Sequence, residues 1–162
     1  MRKILMVCTG NTCRSAMAAA IFLNKAAERQ IPVEVDSAGL SALENDPASV
    51  QAQTVMKEYG IDLSGHRAKQ LDPQVLGQYD LILAMTMSHK QQILNFRPDL
   101  ENKVFLIKEI AAQKMQETNV QSENLNRADS DVSDPYGQTV AVYQRTAAEL
   151  LQAIEAILDA WQ

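Results

Sequence analysis

Four short apolar runs, separated by longer amphipathic stretches, dominate the hydrophobic pattern of the 162-residue chain. Three of the runs are continuous rather than alternating, which is typical of strands buried on both faces of a parallel sheet. We therefore predict four strands, at Lys3–Val7, Val33–Asp36, Leu81–Met85 and Val104–Ile107.

Helical stretches lie between these runs. Arg14–Arg29 is rich in Ala, Met and Leu, and a shorter helical segment covers Ser88–Phe96. A third helix is predicted over Pro47–Tyr59, because Asp46 is a good N-cap residue and proline suits the first helical position.

The clearest helix is the last one, because its apolar residues recur at three- and four-residue spacing and form one stripe. The stripe comprises Ala147, Leu150, Leu151, Ile154, Ile157, Leu158 and Trp161. Strands that alternate with helices predict one doubly wound α/β domain over residues 1–162. Gln113–Ser133 is polar and nearly aperiodic, so we interpret it as a long surface loop, a kind of segment that is often functional.

Composition narrows the class of protein. An apolar fraction of 46% with 22% charged residues is ordinary for a soluble globular domain, and the net charge of −5 argues against a general nucleic-acid binder. No run approaches the roughly 20 apolar residues that span a bilayer. The apolar run before Cys8 is too short for a signal peptide, and two cysteines are too few for a secreted disulfide framework. We expect a cytoplasmic protein that does not bind membranes.

The densest chemistry lies in VCTGNTCRSA, residues 7–16, at the carboxyl end of the first predicted strand. Ligands of doubly wound domains bind beyond the carboxyl ends of the strands. Cys8 and Cys13, with His66 and His89 far along the chain, do not have zinc-finger spacing. Four residues separate the cysteines, which excludes a CxxC redox pair, and a Walker A loop would need Gly-Lys-Ser/Thr.

What remains is Cys-x5-Arg-Ser in a loop that leads into a helix. Such a loop turns successive backbone N–H groups inward and forms an anion-binding nest, to which Arg14 adds a bidentate phosphate fork. These surroundings favour the thiolate form of Cys8, a nucleophile that would lie beneath a bound phosphate. Gly10 and Asn11 suit a tight loop with positive φ, and Ser15 can donate a hydrogen bond to the thiolate.

Alternative interpretations exist for each residue taken alone. Cys8 and Cys13 would also serve as small buried residues that fill space in the core. Asp134, in SDPYG, is a candidate general acid that could protonate a leaving group, with Asp131 and Asp129 next in line. However, Asp-Pro is also a common turn or helix start.

VCTGNTCRS near one end of the chain, with DPYG near the other, resembles the low-molecular-weight protein tyrosine phosphatase family. DSAGL, GHRAKQL, LILAM and KVFLIKE extend the resemblance along nearly the whole chain. The resemblance implies a three-layer, flavodoxin-like fold with a four-stranded parallel sheet flanked by helices, and a phosphatase without metal or cofactor. It further implies phosphorylated proteins as substrates, phosphate and other oxyanions as inhibitors, and a monomer.

The resemblance also implies roles for particular residues. Cys8 resembles the family's nucleophile, Arg14 its phosphate-binding arginine and Asp134 its general acid. Cys13 resembles a neighbouring cysteine that traps the oxidised nucleophile as a disulfide. Ala16 departs from the proline that usually follows the loop.

Other positions are expected to bind the substrate or support the loop. The expected substrate-binding residues are Thr9, Gly10, Asn11, Thr12, Cys13, Ser15 and Tyr136. Ser37 and His66, together with Asn11 and Ser15, resemble the polar network that holds the loop.

Two features concern the substrate. In tyrosine-specific members the position of Thr12 is usually aliphatic, and the loop corresponding to Ala38–Ala48 usually carries an aromatic residue, which is absent here. CTGNTCRS and LAMTMSHKQQI resemble the bacterial protein arginine phosphatase subgroup, in which threonine marks this loop position. Tyr136, where that subgroup would have Phe, and the longer Gln113–Ser133 segment keep phosphotyrosine open as the alternative substrate.

Two further functions compete with phosphatase activity on this sequence. Arsenate reduction on the same fold would need more cysteines than Cys8 and Cys13 as an electron relay. A non-catalytic module that responds to phosphate or to oxidation would not need the complete set of nucleophile, arginine and acid.

Overall fold

The computed structural model describes residues 1–117 and 130–162, which contain a four-stranded parallel sheet in the order β2-β1-β3-β4. The strands are β1 (Arg2–Cys8), β2 (Val33–Gly39), β3 (Leu81–Ala84) and β4 (Val104–Leu106). The helices are α1 (Arg14–Glu28), α2 (Val50–Glu58), α3 (Met87–Phe96), α4 (Ile107–Glu117) and α5 (Val140–Asp159), with 3-10 turns at Pro73–Gln78 and Pro98–Leu100.

The sheet is covered on both faces, as its continuous apolar strands predict. Along β1, Ile4 and Met6 pack into a cluster with residues of α1 and α5, whereas Leu5 and Val7 pack into a second cluster with residues of α3 and β4. The predicted three-layer α/β fold with a four-stranded parallel sheet is therefore confirmed. All four predicted strands are present, although Ile107 begins α4 rather than ending β4.

The predicted start of α2 is wrong. The helix begins at Val50, and its cap is Ser49, whose hydroxyl accepts a hydrogen bond from the Ala52 N–H at 3.1 Å. Pro47 instead forms an isolated antiparallel bridge with Arg67. Asp46 therefore lies outside the helix, on a loop that pairs with the segment around Arg67.

The predicted surface loop over Gln113–Ser133 is wrong at its first end, whereas residues 130–133 form neither helix nor strand, as predicted. Residues 113–117 are the last part of α4. At the other end Val132 is buried, and its N–H donates to the Met85 carbonyl at 2.8 Å. The part of this prediction over residues 118–129 lies outside the described residues.

The apolar stripe of the last helix is confirmed as the buried face of α5. Ala147, Leu150 and Ile154 lie in the core cluster with α1. Trp161 follows the helix and contacts Phe22, with 5.7 Å between the ring centroids. Among the helices of the described residues, none is long and apolar enough to cross a membrane.

Candidate active site

The segment between β1 and α1 lies where the topology predicts a ligand site. β1 occupies an inner position, with β2 on one side and β3 on the other, so the chain leaves its carboxyl end at a switch point of the sheet. The α1 helix begins at Arg14 without a side-chain cap, which leaves its first N–H groups directed at the loop. A helix N-terminus of this kind attracts anions.

Cys8 lies at the floor of this loop and is 3% exposed. Its Sγ is 2.8 Å from the Ser15 hydroxyl and accepts a hydrogen bond from the Asn11 N–H at 3.3 Å. Because the Ser15 hydroxyl accepts a hydrogen bond from the Asn11 side chain, it can donate its own proton to the sulfur. The sulfur is therefore held at the positive end of a helix, with two hydrogen bonds that fix its position.

Asn11 gives the loop its shape. It has a φ of +58°, in the left-handed region that asparagine tolerates better than most residues. Its side chain donates to the Ser15 hydroxyl at 2.8 Å and accepts from the Lys69 N–H at 3.1 Å, and its carbonyl lies 2.6 Å from His66 Nε2. These bonds offset the strain of the conformation, so the loop is shaped before any ligand binds.

The prediction that Gly10 also takes a positive φ is wrong. The glycines with positive φ among the described residues are Gly60 and Gly137. The glycine that the loop does require is Gly39, because a Cβ there would lie 2.5 Å from the Thr9 carbonyl oxygen. Close approach of β2 to the loop, rather than a turn at Gly10, is what demands glycine here.

Arg14 is 5% exposed and is held by the segment that follows residue 130. Its Nη1 donates to the Val132 carbonyl at 3.3 Å, and its Nη2 lies 3.4 Å from the Asp134 carboxylate. Because Val132 is itself bonded to Met85 at the end of β3, the sheet positions Asp134 over the loop. The carboxylate remains about half exposed and therefore accessible from the cavity.

A cavity of about 300 Å³ opens above the loop. It brings together most of the residues expected from the sequence, along with three from the segment after β2. Its lining comprises Cys8, Thr9, Gly10, Asn11, Thr12, Cys13, Arg14, Ser41, Leu43, Asp46, Asp134 and Tyr136. Leu43 and Tyr136 are 71% and 75% exposed, so the rim of the cavity is apolar and open to solvent.

Ser37 and His66 lie away from this cavity. Both line a second cavity of about 320 Å³, together with residues from α1 and β2. His66 reaches the loop through the Asn11 carbonyl, whereas the Ser37 hydroxyl makes no hydrogen bond to the loop within the described part of the chain. The expected role of Ser37 in supporting the loop stays a prediction.

Cys13 is buried and faces α5. Its Sγ lies 3.1 Å from the Tyr143 hydroxyl and 3.7 Å from the Ser49 hydroxyl. Burial raises the pKa of Tyr143 to about 12, and the bond with Cys13 acts in the same direction, so this hydroxyl stays protonated. Cys8 and Cys13 are both free thiols, and their pairing after oxidation stays a prediction.

His89 is a site residue that sequence reasoning missed. It is 4% exposed in the first turn of α3, and its Nε2 lies 2.8 Å from the Thr9 hydroxyl. Burial, followed by the charge of Arg14, lowers the pKa of His89 to about 4, against the opposing effect of Asp131 and Asp134. A neutral imidazole therefore holds Thr9 at neutral pH, while its Nδ1 has no hydrogen-bond partner among the described residues.

No group of three or more His, Cys, Asp or Glu side chains is arranged to hold a metal ion in residues 1–117 and 130–162. The groups that converge on the cavity are instead a thiol, a guanidinium and a carboxylate above a nest of N–H groups. This arrangement can bind a phosphoryl group, attack it with sulfur and protonate the group that leaves.

Comparison with known proteins agrees with this chemistry. Residues 3–162 match the low molecular weight phosphotyrosine protein phosphatases, and the chain belongs to that family. It is a protein phosphatase, a hydrolase that acts on phosphorylated proteins.

The relatives include phosphatases named for two different substrates. The chain is 38% identical over 161 residues to a protein-arginine-phosphatase of Geobacillus stearothermophilus, with 99% of this chain and 96% of the relative covered. A crystal structure of a low molecular weight protein tyrosine phosphatase from T. tengcongensis is 41% identical, with a TM-score of 0.84 and 98% and 99% of the two chains covered.

A third relative bears on the mechanism. It is a YwlE arginine phosphatase in which a serine that replaces the active-site cysteine is phosphorylated. That chain is 33% identical, with a TM-score of 0.81 and 97% and 93% of the two chains covered. In that protein, the nucleophile position accepts phosphate.

Proposed function

We propose that this phosphatase removes phosphate from arginine side chains of proteins through a phosphocysteine intermediate on Cys8. The main observation behind the proposed chemistry is that three functional groups line the same cavity. They are the buried Cys8 thiol, the Arg14 guanidinium and the Asp134 carboxylate, which lies 3.4 Å from Arg14. Nucleophile, phosphate ligand and general acid are the set that covalent phosphoryl transfer requires.

In the first step, Arg14 and the N–H groups of the loop bind the phosphoryl oxygens. The Cys8 sulfur attacks phosphorus, so an S–P bond forms while the P–N bond of phosphoarginine breaks. The electron pair of that bond remains on the arginine nitrogen, which takes a proton from Asp134. Asp134 therefore enters this step as the protonated carboxyl.

In the second step, water attacks the phosphocysteine. Asp134, now ionised, accepts a proton from the water while the S–P bond breaks. The electron pair returns to the Cys8 sulfur, and the Ser15 hydroxyl at 2.8 Å stabilises the thiolate. Inorganic phosphate leaves, and the acid is ready for the next substrate.

The assignment of arginine as substrate rests on the cavity wall. The segment 38–48 contributes Ser41, Leu43 and Asp46 to the lining and contains no aromatic ring to stack on a phenol. Thr12 adds a hydroxyl at the cavity, which can accept a hydrogen bond from a guanidinium. The similarity to the Geobacillus stearothermophilus arginine phosphatase supports the same assignment.

Phosphotyrosine is the second candidate, and one observation favours it. Tyr136 and Leu43, both strongly exposed, lie at the cavity and could pack against a phenol ring. The similarity to the T. tengcongensis tyrosine phosphatase agrees with that alternative.

The test compares kcat/KM of the wild type for two peptides that differ only in carrying phosphoarginine or phosphotyrosine. The proposal expects at least a tenfold preference for phosphoarginine. Preference for phosphotyrosine would overturn the arginine assignment while retaining a phosphatase. Failure to hydrolyse either peptide and a simple aryl phosphate would instead indicate a non-catalytic module that responds to phosphate or to oxidation.

Further parts of the proposal follow from sequence reasoning. Residues 1–162 act as a single phosphatase domain, monomeric and cytoplasmic, without nucleic-acid partners or cofactors. Phosphate and other oxyanions compete with the substrate for the loop. Cys13 traps oxidised Cys8 as a disulfide, and His66 and Ser37 support the loop.

A further inference from the structure

Asp46 lines the catalytic cavity, and its carboxylate makes no hydrogen bond or ion pair with any of the described residues. The helix-cap role that the sequence predicts for it belongs to Ser49. The neighbouring acidic residue Glu44 does have a partner, since it accepts a hydrogen bond from the Gln70 N–H at 2.7 Å. The Asp46 carboxylate is half-buried and has no partner at the wall of the cavity. The fold therefore gives it no structural role.

The backbone around Asp46 is held firmly. The Asn45 N–H donates to the Ala68 carbonyl at 2.8 Å, and the Ala68 N–H donates to the Asp46 carbonyl at 2.7 Å. Pro47 then pairs with Arg67. Asn45 has a φ of +69°, a left-handed conformation that these neighbouring bonds maintain. Binding a ligand to Asp46 therefore requires little ordering of the loop, which favours affinity.

The position of this charge matters because the cavity also binds an anion. The phosphoryl group of a substrate lies at the floor, against Arg14 and the loop N–H groups. The Asp46 carboxylate in the lining attracts a cationic leaving group and repels an anionic one, whereas an uncharged leaving group gains no such attraction. Phosphoarginine carries a guanidinium next to its phosphoryl group, whereas phosphotyrosine carries an uncharged ring.

We propose that Asp46 is a specificity-determining residue whose carboxylate binds the guanidinium of phosphoarginine. This inference rests on the proposed function, and it adds a residue that acts on substrate choice without taking part in bond making. A planar guanidinium offers donors on more than one edge, so it can meet Asp46 while its phosphorylated nitrogen faces Asp134.

The experiment uses the full chain with Asp46→Asn, and with Glu44→Gln as the matched control. Both variants remove one negative charge from the same loop, but Glu44 does not line the cavity and glutamine can keep its bond to Gln70. For each protein, kcat/KM is measured with the phosphoarginine and phosphotyrosine peptides, both with uncharged flanking residues, at low and high salt.

We expect Asp46→Asn to lower kcat/KM for phosphoarginine about tenfold, the size of one charge-assisted hydrogen bond, mainly through KM. Phosphotyrosine turnover should be unchanged or raised, and Glu44→Gln should alter neither. Added salt should reduce phosphoarginine turnover less in Asp46→Asn than in the wild type.

An unchanged phosphoarginine kcat/KM in Asp46→Asn, or an equal fall for both peptides, would overturn the inference. The wild-type measurement distinguishes this from failure of the proposed function. If the wild type prefers phosphoarginine and Asp46→Asn does not alter that preference, Asp46 alone is excluded. If the wild type prefers phosphotyrosine, the arginine assignment falls and the role of Asp46 falls with it.

Discussion

The floor of the cavity, formed by residues 8–14, and its mouth, formed by Ser41, Leu43, Asp46 and Tyr136, are built in opposite ways. The floor comes from one continuous segment, and Cys8, Asn11 and Arg14 there are between 0% and 5% exposed. The mouth combines segments that are far apart in sequence, and Leu43 and Tyr136 there are more than 70% exposed. Hydrogen bonds fix the floor on all sides, whereas the mouth side chains mainly face solvent.

This difference suggests a division of roles, with the chemical step at the buried floor and substrate choice at the exposed mouth. A buried, fully bonded floor tolerates little change, because each lost partner leaves a polar group unpaired. Exposed side chains on loops can change without disturbing the fold, and loops carry much of the specificity of enzymes. We therefore propose that Cys8 and Arg14 account for phosphoryl transfer in general, and that the exposed residues of the mouth, together with Thr12, select the phosphorylated side chain.

The largest effect is expected at the floor, from Cys8→Ser. A hydroxyl is a far weaker nucleophile than a thiolate, while Arg14 and the loop N–H groups remain in place. We expect turnover to fall on the order of 10⁶-fold, as for loss of other catalytic nucleophiles, while phosphate still binds. Steady-state kinetics and phosphate titration by calorimetry measure the two properties. Substantial turnover in this variant would contradict covalent catalysis by Cys8.

The next effect in size is expected from Asp134→Asn, at the boundary between floor and mouth. Loss of a general acid should lower kcat about 10²–10⁴-fold for phosphoarginine and less for an aryl phosphate with a good leaving group. Asp131→Asn is the control, since Asp131 accepts a bond from the Met87 N–H at 2.8 Å outside the cavity lining. A larger loss of kcat in Asp131→Asn than in Asp134→Asn would identify Asp131 as the general acid.

A smaller effect, on selectivity, is expected from Thr12→Ile. The change replaces a hydroxyl in the cavity lining by hydrocarbon, which crowds a guanidinium and favours the face of a ring. One such apolar contact is worth about 1–3 kcal/mol, so phosphotyrosine should gain modestly while phosphoarginine loses most of its turnover. The ratio of kcat/KM for the two peptides is the measurement, and Thr54→Ile, at an exposed position of α2, is the control. Equal losses on both peptides would remove Thr12 from substrate selection.

For His89→Gln, the last variant, the effect is expected on the pH dependence of stability rather than on activity. The folded pKa of His89, about 4, lies below its unfolded value of 6.5, so the unfolded chain binds more protons between these pH values. The wild type should therefore lose stability as pH falls from 6.5 towards 4, on the order of 3 kcal/mol at about 1.4 kcal/mol per pKa unit. Glutamine can keep the bond to Thr9 but does not titrate.

Urea unfolding of both proteins at pH 7, 5.5 and 4.5 measures this difference. The free energy of unfolding of His89→Gln should fall less with decreasing pH than that of the wild type. Parallel pH dependence in the two proteins would show that His89 does not titrate in this range.

The sheet and the loop were predictable because their signals are local. A strand that is buried on both faces needs a continuous apolar run, and a phosphate loop needs its residues next to one another. The start of α2 was misplaced because Asp46 and Ser49 are both good caps, and the bridge between Pro47 and Arg67 decides between them. The helix α4 was missed because, of its residues, only Ile107 and Ala111 are buried.

Contacts between distant segments account for what sequence reasoning missed in the site. His89 reaches Thr9 across 80 positions, and no pattern in either segment indicates that they meet. Asp46 looked like a helix cap, and its place in the cavity depends on how its loop pairs with residues 67 and 68. The floor could therefore be predicted largely from sequence, but the mouth could not.

The most direct test of the central claim is a rapid-quench measurement with a phosphoarginine peptide labelled on phosphorus. Detergent is used for the quench, because the P–N bond of the unreacted substrate is labile in acid. We predict that label appears on Cys8 within the first turnover, before inorganic phosphate is released, and that peptide mapping finds it on no other residue. Release of inorganic phosphate at the normal rate, with no label on Cys8 at any time, would contradict the account.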